Sequence, residues 1–380
     1  MGIHHPGRGR CRGNPVPVAA DPSKGPTLEK PRKSVRRKSR GVTIDEVATL
    51  AGVSPMTVSR VMNGQGKVRD ATRDRVMQAV RELDYTPNLA ASSLAAAQHT
   101  RIALVYTNPS GAYLREMLVG LLRVASRTSI QLVIDYWDNL DADAERKAAR
   151  AMSGKVDGVI LPPPVCESHA AVSEFVRADI PVVAIAAGRS SDEISCVRID
   201  DLRAGKELAE YLIAKGHSRI GFIKGRPDLS ASSNRYQGFQ AALHEAGLPL
   251  ETALVQQGDY TYRSGLKAAE KILGHKHPPT AIIASNDDMA AAAVSVAHRH
   301  GLEVPRDLAV VGFDDTSAAT TVWPELTTIH QPIASMANAA IDILLRTIRR
   351  KDRSTRVLVD QVVPHRLIVR GSVSAPGKRG

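Results

Sequence analysis

Hydroxyl, guanidinium and thioether side chains fall together at positions 56–60 of one short stretch, VTIDEVATLAGVSPMTVSRVMNG. The hydroxyls of Thr57 and Ser59 can hydrogen-bond phosphates, and the guanidinium of Arg60 can donate to guanine O6 and N7. Met56 can contact a thymine methyl group. These residue types favour chemistry that reads a DNA groove. The alternative is a helical hairpin whose polar face is merely solvated.

A second group of polar side chains follows apolar runs of strand length much later in the chain. Its members at strand ends are Asn108 and nearby Tyr113 after the first run, Asn286 after AIIAS, Asp314 after VVGF, and Gln331. Open α/β sheets collect ligands at the carboxyl ends of their strands, so these amides, a carboxylate and a ring predict a site for a polyhydroxy ligand. Each has a structural alternative: Asn286 as a helix N-cap, Asp314 in a turn, Tyr113 in packing, and Arg235 as a solvated helix charge.

Two short helices joined by a tight turn are predicted for the amino-terminal stretch. Thr43 and Glu46 have the spacing of a capping box, so the first helix begins directly after Thr43. Gly52 supplies the left-handed residue that ends this helix. Ser54 caps a second helix that has Pro55 at its first position.

A third helix, capped by Asp70, presents Val76, Val80 and Leu83 on one face. This face closes against the apolar faces of the first two helices. The three together predict a helix-turn-helix unit.

The Ala-rich segment PNLAASSLAAA, residues 87–97, follows this unit. A helix of this length is marginal in water because nucleation is costly, so the segment is expected to fray on its own. Small Ala90 and Ala91 would let two such helices pack closely, with Leu94 left as an apolar wedge for a minor-groove base step. From the residues alone, a plain linker is the favoured interpretation.

Apolar runs of strand length then alternate with helical segments from Arg101 onward. The runs are RIALVYT, QLVIDYW, DGVILP, PVVAIAA, RIGFIKG, TAIIAS and LAVVGFDD. Such continuous runs are typical of parallel strands buried on both faces, and they predict an α/β body of doubly wound sheets. Seven or more strands divide more naturally into two sheets than one, with a change of subdomain near Asp200 and a return near Gln331.

The composition limits which classes of protein this sequence can encode. The 380 residues are 43% hydrophobic and 24% charged, and no run approaches the roughly 20 apolar residues that span a bilayer. The three cysteines, Cys11, Cys166 and Cys196, are scattered and suit a reducing compartment. The first residues contain no signal-peptide apolar run, so a cytoplasmic location is expected.

Positive charge is concentrated at the amino terminus. Residues 1–40 hold 11 basic and two acidic residues, which accounts for nine of the net +12 charges. A segment rich in Gly, Pro and Arg cannot offset its ordering entropy, so it is predicted to be a disordered basic arm with a polyanionic partner. The alternatives are a solubilising tail, or residues included by a start codon placed too far upstream.

Head, hinge and body together resemble the lactose-repressor and galactose-repressor (LacI/GalR) family of transcription factors. The resemblance is carried by VTIDEVATLAGVSPMTVSRVMNG and VRDATRDRVMQAVRELDYTPNLAASSL, and it extends from about Val42 to the chain end. It implies a small all-α helix-turn-helix head plus an α/β body of two doubly wound subdomains resembling a periplasmic-binding-protein fold. It also implies that Leu94 is the minor-groove wedge. The DNA-binding residues so predicted are Thr43, Ser54, Pro55, Met56, Thr57, Ser59, Arg60, Asn63, Asn88, Ala91 and Leu94.

The same resemblance implies an effector site. Arg235 in NRYQGF matches the family's ligand-binding arginine, and Tyr260 in GDYTYRSG stands where relatives carry an aromatic lining residue. With these two, the predicted effector-binding residues are Asn108, Tyr113, Arg235, Tyr260, Asn286, Asp314 and Gln331. The chain departs from the family after PVVAI, where Ala186, Ala187, Gly188 and Arg189 replace an acidic residue and an arginine, so one sugar-hydroxyl acceptor is missing.

The predicted organisation has four parts. They are a disordered arm (1–40), a helix-turn-helix domain (41–86), a hinge helix or linker (87–99) and a two-lobed effector-binding and dimerisation domain (100–380). Within the last, the N-lobe covers about 101–199 and 331–358, and the C-lobe about 200–330 and 359–371.

We therefore predict a dimeric transcriptional regulator, a repressor, that binds a pseudo-palindromic operator and responds to a small ligand, a sugar or sugar derivative. Neither a cofactor nor a metal is expected. An enzyme is disfavoured because the sequence lacks GxGxxG after a strand, GxxxxGK[ST], GxSxG and clustered metal ligands. The remaining alternatives are a solute-binding protein with this body fold and a non-specific basic DNA-binding protein, whose binding would weaken steeply with salt.

Overall fold

The computed structural model describes residues 42–62, 68–85, 99–107, 110–138, 140–350 and 357–377. The chain divides into two compact units, Met1–Ser92 and Ser93–Gly380. Some predictions lie outside the described residues. These are the basic arm, all of the hinge except its last residue, and Asn63, Asn88, Ala91, Leu94 and Asn108.

The first unit is a three-helix head. Its helices are α1 (Ile44–Ala51), α2 (Pro55–Met62) and α3 (Asp70–Glu82). The capping box is formed, because Thr43 N donates to Glu46 Oε2 at 2.7 Å and Glu46 N donates to Thr43 Oγ1 at 3.4 Å. Gly52 ends α1 with φ 62°, a conformation that favours glycine. The head's core consists of Val47, Ala48, Ala51, Val58, Val76 and Ala79.

The start of α3 differs from the prediction by one position. Asp70 is the first helical residue, and the N-cap is Arg69, whose side chain makes no capping hydrogen bond. Asp70 instead places a carboxylate in the first turn, where the helix dipole favours negative charge.

The second unit is an α/β body. Its strands are β1 (Thr100–Tyr106), β2 (Ile130–Tyr136), β3 (Gly158–Leu161), β4 (Val182–Ile185), β5 (Ser195–Arg198), β6 (Ile220–Lys224), β7 (Val255–Gln257), β8 (Ala281–Ala284), β9 (Ala309–Asp314), β10 (Thr327–His330), β11 (Asp360–Val362) and β12 (Arg366–Ile368). Its helices are α4 (Gly111–Ala125), α5 (Ala142–Met152), α6 (His169–Arg177), α7 (Asp201–Ala214), α8 (Ser230–Glu245), α9 (Tyr262–Leu273), α10 (Asp287–Arg299), α11 (Ser317–Thr321) and α12 (Ile333–Arg349).

Two six-stranded sheets organise this body into two lobes. The first lobe has the order β11-β5-β4-β3-β1-β2, and the second has β12-β10-β9-β8-β6-β7. Pairing among these strands is parallel except that β12 runs antiparallel to β10. The β3, β4, β8 and β9 strands are buried along their whole length, as their apolar runs predict.

In the described residues, the chain crosses between the lobes three times. The crossings lie between β5 and α7 near Asp200, between β10 and α12 at Gln331, and between β11 and β12 at residues 363–365. The predicted boundary at 358/359 is wrong by a few residues, because Asp360–Val362 pairs with β5 and so belongs to the first lobe. The sequence VLVDQVVPHRLIV carries one apolar pattern across both short strands, which hides the crossing.

Five short strands, β5, β7, β10, β11 and β12, lie outside the seven predicted runs. They contain polar residues or only three positions each, so their apolar signal is weak. Across the part of the chain that is described, the helices are all too short or too polar to cross a bilayer.

Candidate functional site

The predicted effector residues that the structure describes come together around one cavity between the two lobes. Tyr113, Arg235, Tyr260, Asn286, Asp314 and Gln331 all line it, and the space between them, including the part open to solvent, is about 470 Å³. The first lobe contributes the start of α4, and the second contributes α8 and the carboxyl ends of β8 and β9. Convergence of residues separated by more than 200 positions follows from the parallel sheets, whose carboxyl ends face each other here.

Several lining residues were not predicted. They are Ser110, Pro163, Pro164, Ala186, Arg226, Leu229 and Ala231. Arg226 is the second residue after β6, as Asn286 is after β8, so the strand-end argument applied to Asn286 also points to Arg226. Ser110 is the N-cap of α4, where its Oγ accepts from Tyr113 N at 3.3 Å, and no pattern in the sequence distinguishes it from other capping serines.

Arg235 lines the cavity and is fixed by contacts with two carboxylates and one aromatic ring. Its Nε donates to Asp201 Oδ1 at 2.8 Å, and its Nη1 lies 3.8 Å from Asp314 Oδ1. The guanidinium carbon also lies 3.6 Å from the centre of the Phe313 ring. Arg235 and Asp201 are both almost fully buried, so this is a desolvated ion pair. Asp201 was not predicted.

Asp314 is a buried carboxyl group whose charge is finely balanced. Burial raises its pKa to about 7, while Arg235 and a hydrogen bond from Gln331 Nε2 at 2.7 Å act in the opposite direction. Its backbone has φ 103°, a strained conformation for a residue other than glycine. The side chain is therefore poised to change protonation when a ligand adds or removes a hydrogen bond.

Two buried polar atoms at the cavity find no hydrogen-bond partner among the residues that the structure describes. They are the hydroxyl of Tyr113 and Oε1 of Gln331, in side chains that are 5% and 2% exposed. Burial also raises the pKa of Tyr113 well above its usual value, so its hydroxyl is a donor. An unsatisfied buried polar atom costs about 1–3 kcal/mol, which a ligand carrying matching groups would recover.

Asn286 and Tyr260 have structural tasks as well as lining the cavity. Asn286 Oδ1 caps α10 by accepting from Met289 N at 3.0 Å, and its Nδ2 donates to Tyr260 O at 2.9 Å. The capping alternative for Asn286 is therefore present in the fold. Tyr260 has φ 72°, and burial raises its pKa to about 12.

The departure from the family after PVVAI has a steric consequence. Ala186 lines the cavity with its small side chain, and Gly188 packs directly on the start of α8. A Cβ atom at Gly188 would lie 2.1 Å from Ala231 N. A larger residue there would push the two lobes apart. Arg189 is exposed and does not line the cavity.

Most of the predicted DNA-reading residues that the structure describes lie on α2 and its cap, whereas Thr43 is the N-cap of α1. Ser54, Pro55, Met56 and Arg60 are exposed, and Met56 is 65% exposed although it is apolar. Ser59 and Thr57 are half-buried, and the Thr57 and Ser54 hydroxyls lie 2.9 Å apart in a mutual hydrogen bond. Val58 is fully buried between them and anchors the helix, so the polar face points outward.

Two family models match this chain, one over the head and one within the body. The family described as "Bacterial regulatory proteins, lacI family" matches residues 43–88, and the "Periplasmic binding protein-like domain" matches residues 209–373. The chain is 37% identical to the HTH-type transcriptional regulator DegA of Bacillus subtilis (strain 168), over 87% of this chain and 98% of that protein. It is 34% identical to the Catabolite control protein A of Priestia megaterium, over 87% and 99%. The chain belongs to the LacI family of bacterial regulatory proteins.

Solved structures agree with this assignment to the LacI family. The lac repressor dimer bound to operator and the anti-inducer ONPF matches with a TM-score of 0.67 and 26% identity, over 88% of this chain and 100% of that one. The transcriptional regulator CelR in complex with cellobiose matches with a TM-score of 0.66 and 31% identity, over 87% and 99%.

Membership of the LacI family confirms the predicted fold class, a helix-turn-helix head on a two-sheet α/β body. It also confirms the predicted function, a DNA-binding transcriptional repressor controlled by a small ligand. The relatives that match along nearly their whole length are transcriptional regulators.

Proposed function

We propose that this LacI-family repressor responds to a neutral polyhydroxy effector, a sugar or sugar derivative, bound in the cavity between the lobes. The effector-binding residues in this proposal are Tyr113, Arg235, Tyr260, Asn286, Asp314 and Gln331. The observation that carries it is that two buried polar atoms, Tyr113 Oη and Gln331 Oε1, have no hydrogen-bond partner within the described part of the chain. One ligand hydroxyl that accepts from the first and another that donates to the second would satisfy both.

The charge of the cavity supports a neutral ligand. Its two lining arginines are both paired with carboxylates: Arg235 with Asp201, and Arg226 with Asp228 through bonds of 3.0 and 2.6 Å. An anionic effector would therefore compete with existing ion pairs. A neutral ligand keeps these pairs and uses the remaining hydrogen-bonding capacity of the arginines.

Two relatives point the same way. CelR is structurally similar and its structure holds cellobiose, and the Ribose operon repressor of Escherichia coli (strain K12) is 32% identical over 80% of this chain and 93% of its own length. The missing acceptor after PVVAI still distinguishes this cavity, so the effector need not be either of these sugars.

We also propose that α2 reads the operator from the major groove, with Arg60 and Met56 contacting bases and the hydroxyls near its start contacting phosphates. Thr43, Ser54, Pro55, Thr57 and Ser59 complete the face, while Asn63, Asn88, Ala91 and Leu94 remain predictions from sequence. The proposed site of action is the cytoplasm, where the DNA is.

A homodimer is the proposed assembly. In the first lobe, α4 packs beside the edge strand β2, and both present exposed apolar side chains: Val119 and Leu122 on α4, Ile134 and Tyr136 on β2. Exposed apolar side chains on neighbouring elements are typical of a protein interface. Two-fold pairing would present two α2 helices to a pseudo-palindromic operator.

A ligand screen tests the effector proposal. Thermal unfolding of the full chain would be followed with neutral mono- and disaccharides, with sugar phosphates and with purines. A neutral sugar at 100 times its Kd should raise the stability of the folded state by about 2.7 kcal/mol. Stabilisation by sugar phosphates or purines alone would contradict the proposal.

Selection of genomic fragments tests the operator proposal. The purified protein would be mixed with fragmented DNA from its own source at moderate salt, and the retained DNA sequenced. Recovery of a few palindromic sites is expected, and their neighbouring genes would nominate further effectors. Sequence-blind recovery would favour non-specific binding through the basic arm.

A further inference from the structure

One side chain of the first lobe caps a helix of the second. Ser230 Oγ donates to Glu167 Oε1 at 2.6 Å, and Ser230 N donates to the two carboxylate oxygens at 3.1 and 3.0 Å. Glu167 lies in a short 3₁₀ turn, Val165–Glu167, that follows β3, whereas Ser230 is the first residue of α8. The contact therefore joins the two lobes.

The cap is needed because α8 cannot cap itself. Its N-cap residue is Leu229, whose side chain has no hydrogen-bond acceptor. The amide groups in the first turn of a helix lack partners within the helix and carry partial positive charge, so a carboxylate is a favourable partner for them. Separation of the lobes would carry Glu167 away from α8. The amide groups in the first turn of α8 would then have only water as a partner.

The helix that Glu167 caps is the one that carries the effector-binding arginine. Arg235 lies on α8 five residues after Ser230, and Ala231 of the same turn also lines the cavity. The first-lobe loop at Gly188 packs on the same turn, and Asn234 Nδ2 donates to Gly188 O. Closure of the lobes and the position of the arginine's helix are thus set by one junction.

We propose that Glu167 is a positioning residue for effector binding, which holds the lobes closed on α8 before the effector arrives. This deepens the proposed effector site and rests on it, but it does not depend on which ligand binds. Glu167 does not line the cavity, so it acts through Ser230 and α8. The contact therefore increases the fraction of ligand-free protein that is in the closed, binding-competent state.

Two other contacts between the lobes report closure at a distance from this junction. Ser110 Oγ donates to Asp288 Oδ2 at 2.7 Å, and Arg115 on α4 donates to Ser317 on α11. If Glu167 only caps a helix, its loss disturbs the first turn of α8 alone. If it holds the lobes closed, its loss also exposes these remote contacts.

Hydrogen exchange on the ligand-free, full-length protein separates the two roles. The variants are Glu167→Gln and Glu167→Ala, with Glu193→Gln as the matched control, because Glu193 is a half-exposed carboxylate of the same lobe whose ion-pair partner, His169, also belongs to that lobe. Faster exchange is expected in both Glu167 variants at residues 230–234, and also at 186–189, 111–115 and 317–321. The control should exchange as the unsubstituted protein does.

Faster exchange confined to 230–234, unchanged exchange, or an equal effect of the control would overturn the proposal. If Glu167→Ala does not fold, Ser230→Ala removes the 2.6 Å bond from the other side and should give a smaller change in the same segments. Because no effector is present, this result is independent of the ligand screen, and failure of either experiment leaves the other intact.

Discussion

At the residue scale, Arg235 shows why the residues of the cavity cannot all be predicted from the ends of apolar strands. Asn286 and Asp314 follow apolar strands, so their convergence could be predicted from the parallel sheet. Arg235 lies within a helix and was recognised only through family resemblance. Its partner Asp201 was missed, because the pairing depends on how α7 and α8 pack and no spacing along the chain encodes that.

Replacing Arg235 tests this buried pair. Arg235→Ala should abolish the effector response and lower the free energy of unfolding by about 3–5 kcal/mol, because it leaves Asp201 buried without its partner. Adding Asp201→Asn should recover part of the stability but none of the response. Chemical denaturation and operator binding with and without effector measure these effects. A normal effector response in Arg235→Ala would remove the residue from the site.

The pKa of Asp314 predicts how binding depends on pH. Its folded-state pKa, about 7, lies above the ordinary value of 3.8, so the folded state gains stability below pH 3.8 that is lost as pH rises through 7. A ligand hydroxyl that donates to the carboxylate favours the ionised form. Effector affinity should therefore rise about tenfold between pH 6 and pH 8.

Calorimetry with the effector found by screening would measure this profile, and Asp314→Asn should bind with nearly the same affinity across the range. An affinity that falls with rising pH would mean that the protonated carboxyl donates to the ligand instead.

Replacing Arg60 tests the proposed DNA-reading face. Arg60→Ala should cost about 1–3 kcal/mol on a cognate operator and relax base preference at one position, because a bidentate contact to guanine is lost. Binding to a library of single-base operator variants measures both effects. Arg81→Ala, an exposed arginine in the last turn of α3, is the control. Unchanged selectivity in Arg60→Ala would exclude it as a base reader.

At the element scale, the close packing of α7 and α8 sets the position of Arg235. A Cβ atom at Gly205 on α7 would lie 2.3 Å from Arg235 O, and one at Gly238 on α8 would lie 2.1 Å from Leu202 O. Both glycines let the two backbones approach, which brings Asp201 within 2.8 Å of Arg235. The long apolar runs predicted seven of the strands, but the contact between α7 and α8 has no signal along the sequence.

Gly238→Ala tests the helix contact. The added methyl group should force α7 and α8 apart and lower the free energy of unfolding by about 1–3 kcal/mol, as overpacking does elsewhere. Effector affinity should fall as well, since the Asp201–Arg235 pair is strained. Gly111→Ala is the matched control, because its Cβ atom would meet nothing within 4 Å. Denaturant titration compares the two, and equal stability would show that the helices can shift without cost.

At the scale of the whole molecule, the exposed apolar face of the first lobe predicts the assembly. Leu122 is 53% exposed on α4, and a charge there should oppose burial against a second copy. Leu122→Glu should convert dimer to monomer in analytical ultracentrifugation and weaken operator binding. Leu202→Glu, at an exposed leucine of the second lobe, should leave the dimer intact. A monomeric unsubstituted protein would contradict the proposed homodimer, and a dimeric Leu122→Glu would place the interface elsewhere.

The three chain crossings carry a consequence for how the protein is made. Neither sheet is encoded by a continuous segment, since the first lobe needs α12 and β11 from residues 333–362 and the second lobe needs β12 from residues 366–368. A ribosome must therefore release residues up to about 362 before the first sheet can be completed, and up to about 368 before the second. The core of the head, by contrast, is contained within residues 42–85, so the head can fold while synthesis continues. Newly made repressor is thus expected to pass through a period with a folded DNA-reading head and an unfinished sensor.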